Sequence, residues 1–278
     1  MARYLVLILL WFALACGHDR TDDGSFELLS FAQAGRADLR LNERLEFFFN
    51  QEIYPPSVTS DSFRLWSDAG PVPSGRMRVD GKRITFEPDL PNRPDLQDGG
   101  FRPATSYRVE IAGGLQAKAV QSRRWRHLVR TYEFVFRTVG AEQPDAFIAD
   151  HPESPPTAFA SRPDGVQLQS QNGGLVRAGS PFVIWFDHHL DPRTVVKDSF
   201  EVKNPGEIGQ PVDISANLER VELRQDERGC RVFLYPHADT PVVVDEYYVI
   251  VPAKVLDFGR VPVPESRRWI EFKGLAGG

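Results

Sequence analysis

An internal repeat constrains this chain more than any other feature. Phe49 to Leu65 aligns without a gap on Phe186 to Val202, at a constant offset of 137. Six of the 17 pairs are identical, among them Phe49 with Phe186, Pro55 with Pro192 and Phe63 with Phe200, where random pairing gives about one. Four more pairs are conservative: Asn50 with Asp187, Ile53 with Leu190, Ser57 with Thr194 and Leu65 with Val202. One structural plan is therefore used twice, and whatever the first copy folds into, the second must too. A length of 278 residues accommodates two such domains, each with its own core.

The residues around the repeat define its elements. Leu45, Phe47 and Phe49 alternate just as Phe182, Ile184 and Phe186 do, and period-two apolar alternation means a half-buried strand. Ile84-Thr85-Phe86-Glu87-Pro88 then corresponds to Val232-Phe233-Leu234-Tyr235-Pro236, and Tyr107-Arg108-Val109-Glu110-Ile111 to Tyr247-Tyr248-Val249-Ile250-Val251. Each copy closes on an aromatic strand, Tyr132 to Phe136 or Trp269 to Phe272. The 22 Pro and 22 Gly punctuate these strands, and no long amphipathic helix interrupts them. The fold class expected is all-β: two Ig-like antiparallel β-sandwiches in tandem.

The strand ending in Phe49 or Phe186, the turn from Pro55 or Pro192, and the late tyrosine strand together resemble the SbsA-type bacterial Ig-like domain of cell-envelope proteins. Thr157 to Gly165 resembles that family's opening strand and turn in the second copy. Ser25 to Ala34 is a weaker equivalent in the first. The resemblance covers nearly the whole chain after residue 24 and implies a structural or adhesive role. The first copy departs from it through an insert, Leu90 to Ala104, and an arginine-rich segment, Arg123 to Arg130.

The N-terminus reads as an address. Arg3 precedes an apolar run from Tyr4 to Ala15, too short to span a bilayer comfortably and fitting a signal-peptide core. Ala13-Leu14-Ala15-Cys16 resembles the lipobox of bacterial lipoproteins. That resemblance implies removal of residues 1–15 and attachment of several acyl chains, palmitate among them, to Cys16; several chains hold a protein to a membrane where one does not. The alternative is a buried N-terminal strand or helix, against which stands the polar stretch after Cys16. The expected organisation is signal peptide 1–15, lipidated tether 16–24, first Ig-like domain 25–139, proline-rich semi-rigid linker 140–153 and second Ig-like domain 154–278. Cys230, left without a partner in the chain, is expected to be a small buried apolar residue.

Catalytic signatures are sparse. The sequence holds no Walker loop, G-x-S-x-G elbow, HExxH, CxxC or dinucleotide fingerprint. The net charge of -5 argues against nucleic acid as a partner. No cofactor and no catalytic residue is assigned. Asp187-His188-His189-Leu190-Asp191 carries metal-ligating side chains, but neighbours on a strand face opposite ways, so both histidines reach one ion only if the chain turns there. Arg123-Arg124-Trp125-Arg126-His127 with Arg130 suits phosphate or an anionic glycan. Phe48 and Trp185 share one repeat position and point away from the apolar face; they are either platforms for a sugar ring or protein partner, or covered by neighbouring structure.

The sequence thus points to a non-catalytic lipoprotein of the bacterial cell envelope, membrane-anchored and facing the periplasm or cell exterior, that acts as a spacer or interaction module toward an envelope protein or glycan. The competing reading is a secreted metal-binding or carbohydrate-active protein using the His188-His189 strand end.

Overall fold

The computed structural model describes residues 24–68, 70–160, 172–177, 179–204, 212–213, 218–227, 229–238 and 246–275. The expected signal peptide and Cys16 lie outside the described residues, as do Ser161 to Gly165.

The first copy contributes β1 (Leu28–Phe31), β2 (Leu45–Phe49), β3 (Phe63–Ser67), β4 (Gly75–Asp80), β5 (Arg83–Pro88), β6 (Ser106–Ile111) and β7 (Tyr132–Arg137). The second contributes β8 (Ala158–Phe159), β9 (Asn172–Arg177), β10 (Phe182–Phe186), β11 (Phe200–Asn204), β12 (Val212–Asp213), β13 (Leu218–Asp226), β14 (Gly229–Pro236), β15 (Tyr247–Pro252) and β16 (Ile270–Leu275). Among the described residues, helix is confined to short 3₁₀ turns such as Pro55–Ser57 and Pro192–Thr194, which occupy the same repeat position. No helix there is long and apolar enough to cross a membrane.

Pairing repeats as the sequence does. Sheets β1-β2-β5-β4 and β3-β6-β7 form the first sandwich; β8-β10-β14-β13 and β12-β11-β15-β16-β9 form the second. Leu45 and Phe47 pair with Phe86 and Ile84, while the equivalent Phe182 and Ile184 pair with Leu234 and Val232. Phe49 and Phe186 are both fully buried, each inside its own core. The chain is an all-β, Ig-like protein of two sandwiches. Among the described strands β9 runs parallel to β16, and in the first copy Leu39 makes a parallel bridge to Thr138 beside β7 and Phe26 another to Leu128.

The late tyrosine strand is displaced by one residue from its sequence alignment. Phe63 and Leu65 pair with Ile111 and Val109, but Phe200 and Val202 pair with Pro252 and Ile250, which makes Tyr248, and not Tyr247, the counterpart of Tyr107. Burial agrees, since Tyr248 is 3% exposed and Tyr247 54%. Because strand side chains alternate, a one-residue shift exchanges the core and solvent faces. In the first copy Tyr107 is the corner tyrosine typical of Ig-like sandwiches, its hydroxyl accepting from the backbone N–H of Arg102 at 2.7 Å.

Two connecting segments pack against the sandwiches. The insert from Leu90 to Ala104 sends Leu96 and Phe101 into the first core, with Phe101 against Phe86, Tyr107 and Phe136. Residues 140–153, expected to act as a linker, are fastened to the first sandwich. Leu41 N–H donates to the Ala146 carbonyl, Arg40 grips Asp145, and Asn42 exchanges two hydrogen bonds with the Ile148 backbone. Ala146 and Phe147 are buried in the first core together with Phe258 from the second copy, the two phenyl rings stacked at 4.2 Å.

Candidate functional site

Four places carry the side chains singled out from sequence: the outer sheet faces, the junction, the arginine-rich loop, and Cys16, which lies outside the described residues.

On the outer faces the shared repeat position holds a cross-strand aromatic–arginine pair in each copy, Phe48 opposite Arg83 and Trp185 opposite Arg231. Phe48 is 39% exposed, whereas Trp185 is half-buried with the Arg231 guanidinium 4.9 Å from its ring centroid. The second copy extends the pattern, with Arg224 over Phe233 at 4.7 Å and Arg220 over Tyr235 at 4.0 Å. Glu222 accepts from the Tyr235 hydroxyl and pairs with both Arg220 and Arg224. These contacts fill the space above the rings, so Trp185 is a covered platform and Phe48 an open one.

His188 and His189 lie where β10 leaves its sheet and meets the segment joining the copies. The ring nitrogens of His188 face Asp187 Oδ1 at 2.6 Å and the Ser154 carbonyl at 3.0 Å; those of His189 face Asp150 Oδ2 at 2.7 Å and the Asp226 carbonyl at 2.6 Å. The His189 backbone N–H also donates to Asp150 Oδ2. Burial opposes charge on His189, but its bonds to Asp150 and the Asp226 carbonyl outweigh it and raise the pKa. Burial likewise opposes ionisation of Asp150, yet the two hydrogen bonds from His189 and its charge bring that carboxyl down to about 2.

All four ring nitrogens of this pair face oxygen atoms of the protein, so each ring is held from both sides. Among the described residues no group of three or more His, Cys, Asp or Glu is placed to hold an ion. The geometry makes His189 a clamp between the joining segment and the second sandwich.

Further bonds complete the junction. Arg193, ion-paired with buried Asp191, donates to the carbonyls of Ala141 and Gln143 at 2.6 and 2.8 Å. Gln225 donates through its backbone N–H to Asn92 and through its side chain to the Pro91 carbonyl, both at 2.7 Å. Arg76 of β4 pairs with Glu227. Sequence reasoning missed Asp150, Phe258 and Gln225, because a junction is built from residues far apart in the chain. The one local signal was the Asp257-Phe258-Gly259 turn, which the first copy lacks.

The arginine-rich loop forms a cleft at the end of the first sandwich. Ser122 N–H donates to the Arg126 carbonyl and Arg123 N–H to the Glu52 carbonyl, folding the loop against the end of β2. Trp125 sits at its tip in left-handed backbone, φ 62°, its ring 4.6 Å from that of Tyr54 and its residue 67% exposed. The cleft beside it encloses about 400 Å³ between Asn50, Gln51, Glu52, Lys82, Arg123 and Arg124. Arg123 lies 3.4 Å from Glu52. Gln51 Nε2 and Arg126 Nη1 each donate to the Gly24 carbonyl at 2.7 Å, so the chain enters the fold beside this cleft. Gln51 Oε1 is buried with no hydrogen-bond partner among the described residues. The donor set suits a phosphate or carboxylate.

No protein-family model matches this chain, and no curated protein matches it. Solved structures do. A fragment of Escherichia coli alpha-2-macroglobulin spanning domains MG0-NIE-MG1 is similar over 90% of this chain and 72% of its own, at 12% identity and TM-score 0.40. The native Escherichia coli alpha-2-macroglobulin is similar over 90% of this chain but only 14% of its own, at 12% identity and TM-score 0.42. The N-terminal part of the bacterial S-layer protein SbsC is similar over 90% of this chain and 44% of its own, at 8% identity and TM-score 0.31.

Proposed function

We propose that this chain is a non-catalytic lipoprotein of the bacterial cell envelope, a spacer or interaction module of two sandwiches anchored through Cys16. The observation that carries the mechanical half of this reading is the junction. Stacked Phe147 and Phe258, the His189 clamp and the Gln225 and Arg193 bonds join the sandwiches at several separate points. A spacer transmits position only if its modules do not swing, and multiple independent ties are what suppress swinging. The anchoring half rests on the lipobox-like Ala13-Leu14-Ala15-Cys16.

In this reading the lipid holds one end at the membrane, facing the periplasm or cell exterior, and the sandwiches present their outer faces to an envelope protein or glycan. Phe48 is the open aromatic contact and Trp185 the covered one. Neither nucleic acid nor a cofactor has a role. The test is intact mass and membrane fractionation of the full chain produced in a bacterial host, beside Cys16→Ser. A lipid-sized mass increment and a membrane fraction that are both lost on substitution support the anchor. A soluble product of unchanged mass removes it and favours a secreted binding protein.

A further inference from the structure

We infer that the outer face of the sheet β12-β11-β15-β16-β9 is a platform for a linear polysaccharide chain, laid across Tyr247 and Trp269; the site rests on the reading of the outer faces as contact surfaces and not on the anchor at Cys16. The repeat supplies the comparison. Cross-strand pairing matches Tyr247, Val249 and Val251 of β15 to Ser106, Arg108 and Glu110 of β6, and Ile270 of β16 to Phe134 of β7, so Trp269 stands where the first copy has Glu133. Side chains alternate along a strand, so these positions face away from the core in both copies. The first copy folds with polar and charged residues there, and the plan therefore does not require the four apolar residues of the second. On that face of β3, β6 and β7 only Trp66 and Val135 are apolar, at the places of Lys203 and Glu271.

Trp269 is 53% exposed and Tyr247 54%, and Leu175, beside Lys273 on β9, is 65% exposed. The Lys203 ammonium, from β11 on the far side of β15, lies 5.7 Å from the Trp269 ring centroid, so the indole leans across β15, where Val251 is buried apart from the core. The Lys273 ammonium lies 6.0 Å from the Tyr247 ring. Both distances stand at the outer limit of a cation–π contact, and each ring keeps about half its surface open. Tyr247 and the row of Trp269 are separated by four residues of β15, about 14 Å, with Val249 and Glu271 between them. Glu201 and Lys203 pair at 2.8 Å on the same face. The exposed apolar area of the three side chains is roughly 300 Å², below the ~450 Å² that the apolar share of one side of a standard protein interface supplies. It is also divided by Lys273 and Glu271, whereas a protein partner or a second copy needs a continuous apolar centre. Pyranose rings present apolar C–H faces edged by hydroxyls. A chain of them takes separate aromatic plates with ammonium and carboxylate groups between, which is the order found on this face.

The test titrates the full chain carrying Cys16→Ser, which takes the anchor out of the measurement, with cellohexaose and chitohexaose, both extended β-linked chains, and reads binding by calorimetry. The expected result is binding of at least one of the two that weakens roughly tenfold in Tyr247→Ala and in Trp269→Ala, the loss of one ring contact, with thermal unfolding unchanged. Trp269→Tyr keeps a plate and should retain binding, and Phe48→Ala and Glu133→Ala should leave it as it was. No binding of either chain overturns the inference and leaves the anchored spacer to its own mass test. Binding that is lost in Phe48→Ala and kept in Trp269→Ala overturns it by moving the contact to the first sandwich. Sedimentation of the chain without sugar reads the other occupant: a concentration-dependent dimer that dissociates in Trp269→Ala overturns the inference in favour of a second copy.

Discussion

Tyr247 and Tyr248 are adjacent and chemically identical, yet the pleat of β15 sends one to solvent and the other into the core. Tyr248→Ala should therefore destabilise the second sandwich by about 3 to 5 kcal/mol, as loss of a buried aromatic does, while Tyr247→Ala stays within about 0.5 kcal/mol. Denaturant unfolding of the two variants decides this; equal costs would mean that the register is wrong. Phe49→Ala and Phe186→Ala should each cost about 3 to 5 kcal/mol in their own sandwich, because the repeat gives both rings the same buried place. Gly229 is a different kind of constraint. At φ 128° a Cβ would overlap the Phe186 carbonyl oxygen, so Gly229→Ala should destabilise by more than about 1 kcal/mol, a loss that thermal unfolding reads. The alternation that exposes Phe48 and buries Phe49 was legible in sequence. The one-residue register of β15 was not, because a double tyrosine satisfies either alignment and only cross-strand pairing with Val202 and Phe272 selects between them.

At the scale of elements, strands were readable because their pattern is local, and the packed connections were not. The insert from Leu90 to Ala104 and the joining segment 140–153 are rich in Pro, Gly and polar residues, which sequence reads as loop. Of their anchoring residues, Leu96 and Phe101 are isolated apolar positions, and Ala146 and Phe147 belong to a run of only four, Ala146 to Ala149, with no period to announce them. The joining segment also carries a titration. Asp150 faces His189 at 2.7 Å and His151 at 3.9 Å, with Asp226, Asp187, His188 and Asp257 around the same junction. Asp150, held at about 2 in the fold, contributes stability above its unfolded value near 4 and loses it as pH falls through about 2. His189, whose pKa is raised, contributes fully below its unfolded value near 6.5 and loses that contribution as pH rises through its folded value. The clamp is therefore firmest between about pH 4 and 6.5 and is worth of order 2 kcal/mol there. Thermal unfolding across pH should show this window in the native chain and a flatter profile in Asp150→Asn. Identical profiles would assign the pH response to other groups.

At the scale of the whole molecule, the repeat made the two sandwiches legible, but not how they are held. Each copy could be read alone from its own strands, whereas the junction joins Asn92 to Gln225, Asp150 to His189 and Phe147 to Phe258, pairs that no repeat encodes. The arginine-rich loop was legible as chemistry and not as a cleft, since Lys82 and Gln51 reach it from separate turns. The consequence is a body of two sandwiches with a braced joint between them. An interspin distance measures this rigidity. Spin labels at Leu115→Cys in the first sandwich and Leu175→Cys in the second, both exposed, in the Cys16→Ser chain, report the distance between the sandwiches while Cys230 stays buried. A braced junction gives one narrow distance distribution, which broadens when Phe258→Ala and His189→Ala are combined. A broad distribution with the junction intact would contradict it.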